Sequence, residues 1–214
     1  MGWKLFAIII SPKPDLPVAE LLAMLQLPNL QPANPLAFET AIYPKAGQLY
    51  IGKVNDALVI TDYTLSDSCI KKELSPVEQV LTQAFPNAEI CSMVLHSAVN
   101  YWGYSIVRNG QKIRARASSS DDGTYLEVGN PLPEEEDLLA KSTTDEAGNR
   151  LYNLNGDIYT EDCVGENFVF SIASRYFGTP LDQLDEAGFG TLLEGYSYNI
   201  PTAQKAKTPW WKFW

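Results

Sequence analysis

Lys112, Arg114 and Arg116 occupy alternate positions of one predicted strand, and side chains two apart along a strand share a face. Neighbours in such a row lie roughly 7 Å apart. A row of this kind can hold a phosphate or carboxylate ligand through charge-assisted hydrogen bonds. It is equally the pattern of a solvated outer sheet face, paired across strands with Glu127. The acidic clusters Asp121-Asp122 and Glu134-Glu135-Glu136-Asp137 supply carboxylates of the kind hard cations take, but without the spacing of a calcium loop. Turn chemistry accounts for the first cluster, and the dipole at a helix start for the second. Asn153 to Asp157 fails as a calcium loop because Gly156 falls too early. No metal site and no cofactor is expected.

Nucleophilic chemistry has little to draw on. His96 is the one histidine, and Cys69, Cys91 and Cys163 are the three cysteines. No nucleophile elbow, P-loop or dinucleotide fingerprint occurs. A Cys–His pair would have to be assembled by folding, and a buried cysteine acting as a small hydrophobe is the simpler reading.

The C-terminal segment stands apart. Trp210, Trp211 and Trp214 are three of the five tryptophans, and Lys205, Lys207 and Lys212 give the last ten residues a charge of +3. The remainder carries −13. An aromatic, basic end is costly to leave in water. Three fates are open: packing back on its own domain, docking on a protein partner, or sitting at a membrane interface. An acidic body argues against anionic lipid. Trp210, Trp211, Phe213 and Trp214 are the candidate partner-binding residues.

The elements that position these groups centre on a β-meander, Tyr101 to Glu136. Asn109-Gly110 is a strong type I′ hairpin signal. A two-residue turn pairs Arg108 with Gln111, Ile106 with Ile113, Tyr104 with Ala115 and Trp102 with Ala117. That register gathers the aromatic residues on an inner face and leaves Lys112, Arg114 and Arg116 on the other. A third strand places Leu126 and Val128 inside and Glu127 on the cationic side. Around the meander, Trp3 to Ile10 reads as a central strand buried on both faces. Val18, Leu21, Leu22 and Leu25 form one helical stripe. Asn55-Asp56 and Asn155-Gly156 are further hairpin turns, and Leu192 to Ile200 is a candidate closing strand. Residues 28–48 read as irregular, apart from a short strand over Leu36 to Phe38, and 141–149 as a polar loop. Ser75-Pro76-Val77-Glu78 is a capping box. Asp162 is positioned to cap a helix over Cys163 to Phe177, with Gly178 after its end.

Hairpins dominate and βαβ spacing is scarce. The expected fold is α+β, a hairpin-rich antiparallel or mixed sheet covered by about three helices. At 214 residues a single domain over 1–204 is expected, two small lobes being the alternative, followed by the tail 205–214. The net charge of −10, from 26 acidic and 16 basic residues, disfavours nucleic acid as a partner. Three cysteines without a CxxC pair suit reduced thiols in the cytoplasm. The apolar run Leu5 to Ile10 is short for an export signal, and no run approaches the ~20 residues of a membrane span.

With MGWK at its start, the Tyr104-x-Ile106-x-Arg108-Asn109-Gly110 meander, PLPEEE and the ENFVFSIASRYFG helix, the whole chain resembles an uncharacterised bacterial family of unknown function. The meander, about a quarter of the chain, is also similar to pieces of immunity-type proteins of bacterial toxin systems, which are often acidic binding proteins. Neither resemblance implies a catalytic residue. The expectation is a non-catalytic cytoplasmic module that binds a protein partner. The alternative is a small hydrolase or transferase whose carboxylate or cysteine site is assembled only in the fold. A deep polar pocket favours the second, a shallow apolar surface the first. The sequence leaves ligand identity and oligomeric state open.

Overall fold

The computed structural model describes residues 2–200. The candidate partner-binding residues Trp210, Trp211, Phe213 and Trp214 lie outside the described residues. Strand β1 (Lys4–Ser11) has a layer on either side, with Leu5, Ala7 and Ile9 in one core and Ile8 and Ile10 in the other. Its unbroken apolar run is the consequence of that two-sided burial.

The strands that follow are β2 (Gln31–Ala37), β3 (Gln48–Val54), β4 (Ala57–Asp62), β5 (Glu89–His96), β6 (Tyr101–Arg108), β7 (Gln111–Ser119) and β8 (Gly123–Val128). Then come β9 (Ser142–Thr144), β10 (Arg150–Leu154), β11 (Asp157–Thr160) and β12 (Leu192–Ser197). Nine of them form one antiparallel sheet in the order β2-β12-β3-β4-β1-β5-β6-β7-β8, and β11-β10-β9 form a small second sheet. The fold is α+β and dominated by its sheet. Residues expected to be irregular supply β2, whose Pro32 and Pro35 are tolerated because it is an edge strand. Part of the polar loop at 141–149 likewise pairs as β9.

The helices divide between the two faces. On one lie α2 (Phe38–Ala41), α5 (Pro133–Leu139), α6 (Gly165–Phe177) and α7 (Glu186–Phe189), around a core containing Trp102, Tyr104, Phe168 and Ile172. On the other lie α1 (Val18–Leu25), α3 (Tyr63–Ser68) and α4 (Pro76–Ala84). The capping box at Ser75 forms as its sequence implies: its hydroxyl accepts from Glu78 N at 3.1 Å, and Glu78 accepts from Ser75 N at 2.6 Å. Asp162 does not cap α6. It sits in a 3-10 turn, Glu161–Val164, and α6 starts beyond it at Gly165 with no side-chain cap. A Cβ on Gly165 would stand 1.8 Å from Cδ1 of Trp102, so the helix start lies directly on the indole.

The meander forms with one change that moves its charges. Asn109 and Gly110 both have positive φ, as a type I′ turn demands. Arg108 pairs with Gln111 and Val107 with Lys112, but Ile106 then pairs with Arg114, because Ile113 is the extra residue of a β-bulge. The expected pairs Ile106–Ile113, Tyr104–Ala115 and Trp102–Ala117 are replaced by Ile106–Arg114, Tyr104–Arg116 and Trp102–Ser118. Beyond the bulge β7 is turned over. Arg114 and Arg116 face the α6 core, while Ala115 and Ala117 pack under α3 with Leu126. Glu127 pairs with Arg116 and does share its side. The bulge needs Gly129, because a Cβ there would meet the Ile113 carbonyl oxygen at 1.9 Å.

Candidate functional site

The cationic row is thereby split between two faces, and neither is a solvated outer face. Lys112 lies on the α4 side, where Nζ donates to the carbonyls of Cys69 and Lys71 at 2.8 Å each and stands 3.1 Å from Glu78 Oε1. Arg114 and Arg116 are fully buried. Arg114 holds Glu135 through two bonds, Nε to Oε2 at 2.8 Å and Nη2 to Oε1 at 2.6 Å, and donates to the Gly129 carbonyl at 2.9 Å. Tyr104 adds its hydroxyl to Glu135 at 2.6 Å. Arg116 stacks over Phe168 with its guanidinium carbon 4.3 Å from the ring centroid. Its Nη2 donates to Tyr152 Oη at 2.8 Å and lies 2.7 Å from Glu161 Oε1. Burial works against both charges, yet Glu135 for Arg114 and Glu161 for Arg116 outweigh it and hold both guanidiniums above their ordinary range. The network ties β7 to α5 and to the 3-10 turn before α6. Its chemistry is that of a clamp: a bidentate guanidinium–carboxylate pair is strong, and leaving one partner unpaired costs about 3–5 kcal/mol.

A second polar cluster opens to solvent in a pocket of about 580 Å³ lined by Glu89, Arg108, Glu134, Arg175 and Tyr176, among others. Glu89 accepts from Tyr176 Oη at 2.7 Å, from Arg108 Nε at 3.0 Å and from Arg175, while Arg175 also reaches Glu134 at 2.9 Å. Burial raises the Glu89 carboxyl, but the bonds from Arg175, Tyr176 and Arg108 prevail and hold it below the usual range. Two cations meet two carboxylates here, so the pocket offers an anion no uncompensated charge.

The third feature is apolar. A cleft of about 490 Å³ lies between the start of β1, α2 and α7, lined by Gly2, Trp3, Lys4, Glu39, Ile42, Tyr43 and Phe189. The Trp3 backbone is fixed by its own N–H to Ser97 Oγ and by Ser97 N–H to its carbonyl, both at 3.0 Å. The Trp3 indole meets Phe170 edge-on, ring centroids 5.0 Å apart, and Phe189 at 6.2 Å. Tyr43 is exposed, with Lys4 Nζ 4.5 Å from its ring centroid and His96 stacked at 6.3 Å. Burial, helped by Lys4, keeps the His96 imidazole below its ordinary range. Glu39 is exposed and has no hydrogen-bond or ion-pair partner among the described residues. This is a pre-formed aromatic surface, pinned by backbone bonds, with the exposed Glu39 carboxylate at its rim.

The nucleophile candidates are otherwise engaged. Cys69 is buried against Ser75, and burial together with Glu78 pushes its thiol up to about 11. Burial also pushes Cys91 up, and Cys163 is exposed beside Asp162. Among the described residues no cluster of histidine, cysteine and acidic side chains is arranged to hold a metal, and no helix is long and apolar enough to cross a membrane. Asp121-Asp122 is a turn, with Asp122 N–H on Ser119 Oγ at 3.1 Å.

Two buried acids had a legible signal. Glu135 stands three and four residues before Leu138 and Leu139, and Glu78 three before Leu81, so each lies on its helix's apolar stripe. The cleft had none, since Trp3, Tyr43 and Phe189 come from distant segments.

The geometry defines a sheet-dominated α+β protein with paired buried charges and an aromatic surface cleft. Residues 8–152 match a family of unknown function, DUF6928, and the chain belongs to that family. The matched span contains Arg114, Arg116, Glu135 and Tyr43, while Trp3, Glu161 and Phe189 lie outside it. No curated protein and no solved structure matches the chain.

Proposed function

We propose that the protein is a non-catalytic cytoplasmic binding module whose docking surface is the Trp3–Tyr43–Phe189 cleft. The observation that carries this reading is the cleft itself: aromatic walls on fixed backbone, open to solvent, with the exposed carboxylate of Glu39, unpartnered among the described residues, beside them. Aromatic anchors on a pre-organised surface are where protein interfaces concentrate their energy. Lys4 is already engaged with the Tyr43 ring, so Glu39 sets the charge preference. The partner is a protein segment with an aromatic or aliphatic anchor next to a lysine or arginine. The excess of 26 acidic over 16 basic residues steers such a segment inward.

The test is co-purification from the native host with the full chain, with Tyr43→Ala, and with Ile158→Ser, which alters an exposed apolar residue of β11. A protein retained by the wild type and Ile158→Ser but lost with Tyr43→Ala supports the reading. Equal recovery by all three, or none by any, removes it.

A further inference from the structure

We infer that the occupant of this cleft in the free protein is the chain's own C-terminal segment, Pro209–Trp214, acting as a tethered competitor for the partner. The inference rests on reading the cleft as a docking surface, and three observations carry it. The first is chemistry: Pro209-Trp210-Trp211-Lys212-Phe213-Trp214 joins aromatic anchors to a lysine, the kind of segment that aromatic walls beside Glu39 would take. The second is charge, +3 from Lys205 onward against −13 for the rest.

The third is reach. Ile200, the last described residue, packs beside Gly47: a Cβ on Gly47 would lie 3.6 Å from Ile200 Cγ1, and Tyr198 N–H bonds the Gly47 carbonyl at 2.8 Å. Tyr43 is four residues before Gly47, so their Cα atoms are at most about 14 Å apart. Trp210 is ten residues beyond Ile200, and ten residues span up to about 33–36 Å. The tether is long enough to enter its own cleft with chain to spare. A tether whose length matches the span holds its end at an effective concentration on the order of 1 mM. A segment that binds with a dissociation constant of about 100 μM would therefore lower partner affinity roughly tenfold.

The experiment uses the full chain with Cys163→Ser and Thr208→Cys, a nitroxide on the introduced thiol, and the amide spectrum of the same molecule. The expected result is strong loss of intensity at Lys4, Glu39 and Phe189, with Ala147 and Gly148 unaffected, and recovery at Lys4 and Phe189 when Tyr43→Ala is added. The loss must be absent when an isotope-labelled chain without nitroxide is mixed with a separate nitroxide-carrying chain. Loss in that mixture assigns the occupant to a second copy and overturns the inference. So does intensity at Lys4 and Phe189 that is undiminished, or that stays diminished with Tyr43→Ala. The co-purification test with Tyr43→Ala can succeed in either case, so failure of the tether is distinguishable from failure of the docking surface. Where a partner has been recovered, a chain ending at Thr208 is expected to bind it roughly tenfold more tightly, and unchanged affinity also overturns the inference.

Discussion

Two buried charged side chains, Arg116 and Asp62, carry large single-residue energies of opposite kind. Arg116 is enclosed by Phe168, Tyr152 and Glu161. Arg116→Met leaves the Glu161 carboxylate, only 7% exposed, without its nearest cation. The expected loss in urea unfolding is about 3–5 kcal/mol. Arg116→Met with Glu161→Leu should recover a large part of it, and strict additivity of the two changes would show that the pair does not act as a unit. Asp62 is the opposite case. It is fully buried, accepts from Leu65 N at 2.7 Å as the cap of α3, and burial pushes its carboxyl up to about 6 despite that bond. Because the folded value exceeds the unfolded one, its contribution is complete below about pH 4 and is lost as pH rises through 6. Asp62→Asn keeps a cap acceptor without the charge. It should be more stable than the wild type at pH 7.5, by on the order of 3 kcal/mol from the size of the shift, with the gain vanishing near pH 4. A stability difference that does not change between those pH values would contradict the burial argument. Neither energy could be read from composition, since an arginine or aspartate in a strand pattern normally marks the wet face.

At the scale of elements, local signals are legible in the sequence and long-range ones are not. The Asn109-Gly110 turn, the capping box at Ser75 and the αL glycine at 178 depend on residues within one turn of each other, and all three form. The β7 register is not legible in the hairpin's own sequence, because the bulge at Ile113 is stabilised from outside it, by Gly129 pressed on its carbonyl and by Glu135 and Glu161 across the core. The start of α6 is likewise decided by a neighbour. Gly165→Ala would drive a methyl into the Trp102 ring, whereas Gly148→Ala meets no atom within 4 Å and must bear only its φ of +87°. The first substitution should cost about 1–3 kcal/mol or more from overpacking and the second about 1–2 kcal/mol, with only the first altering the tryptophan near-ultraviolet signal. An unchanged tryptophan spectrum in Gly165→Ala would mean that α6 does not rest on Trp102.

For the molecule as a whole, the two sheets differ in how much covers them. β5 is buried at every residue, while all four residues of β11 are exposed. Amide exchange should therefore be slowest in β5 and β6, at the free energy of global unfolding, and faster by orders of magnitude in β11. Uniform exchange across both sheets would show that they unfold as one unit. The α+β class was legible because hairpin turns and helical stripes recur along the whole chain. The helices on both sheet faces were not, since covering a second face depends on how distant segments meet. One consequence concerns chain length. In the strands flanking the Asn109-Gly110 turn, removing a residue shifts everything beyond it by one place and exchanges core for surface. Ile113 is the exception: without it, Lys112 would still face Val107 and Arg114 would still face Ile106. The hairpin can therefore shorten by one residue at that position and keep both arginines inside, so length variation among descendants of this chain should collect at the bulge.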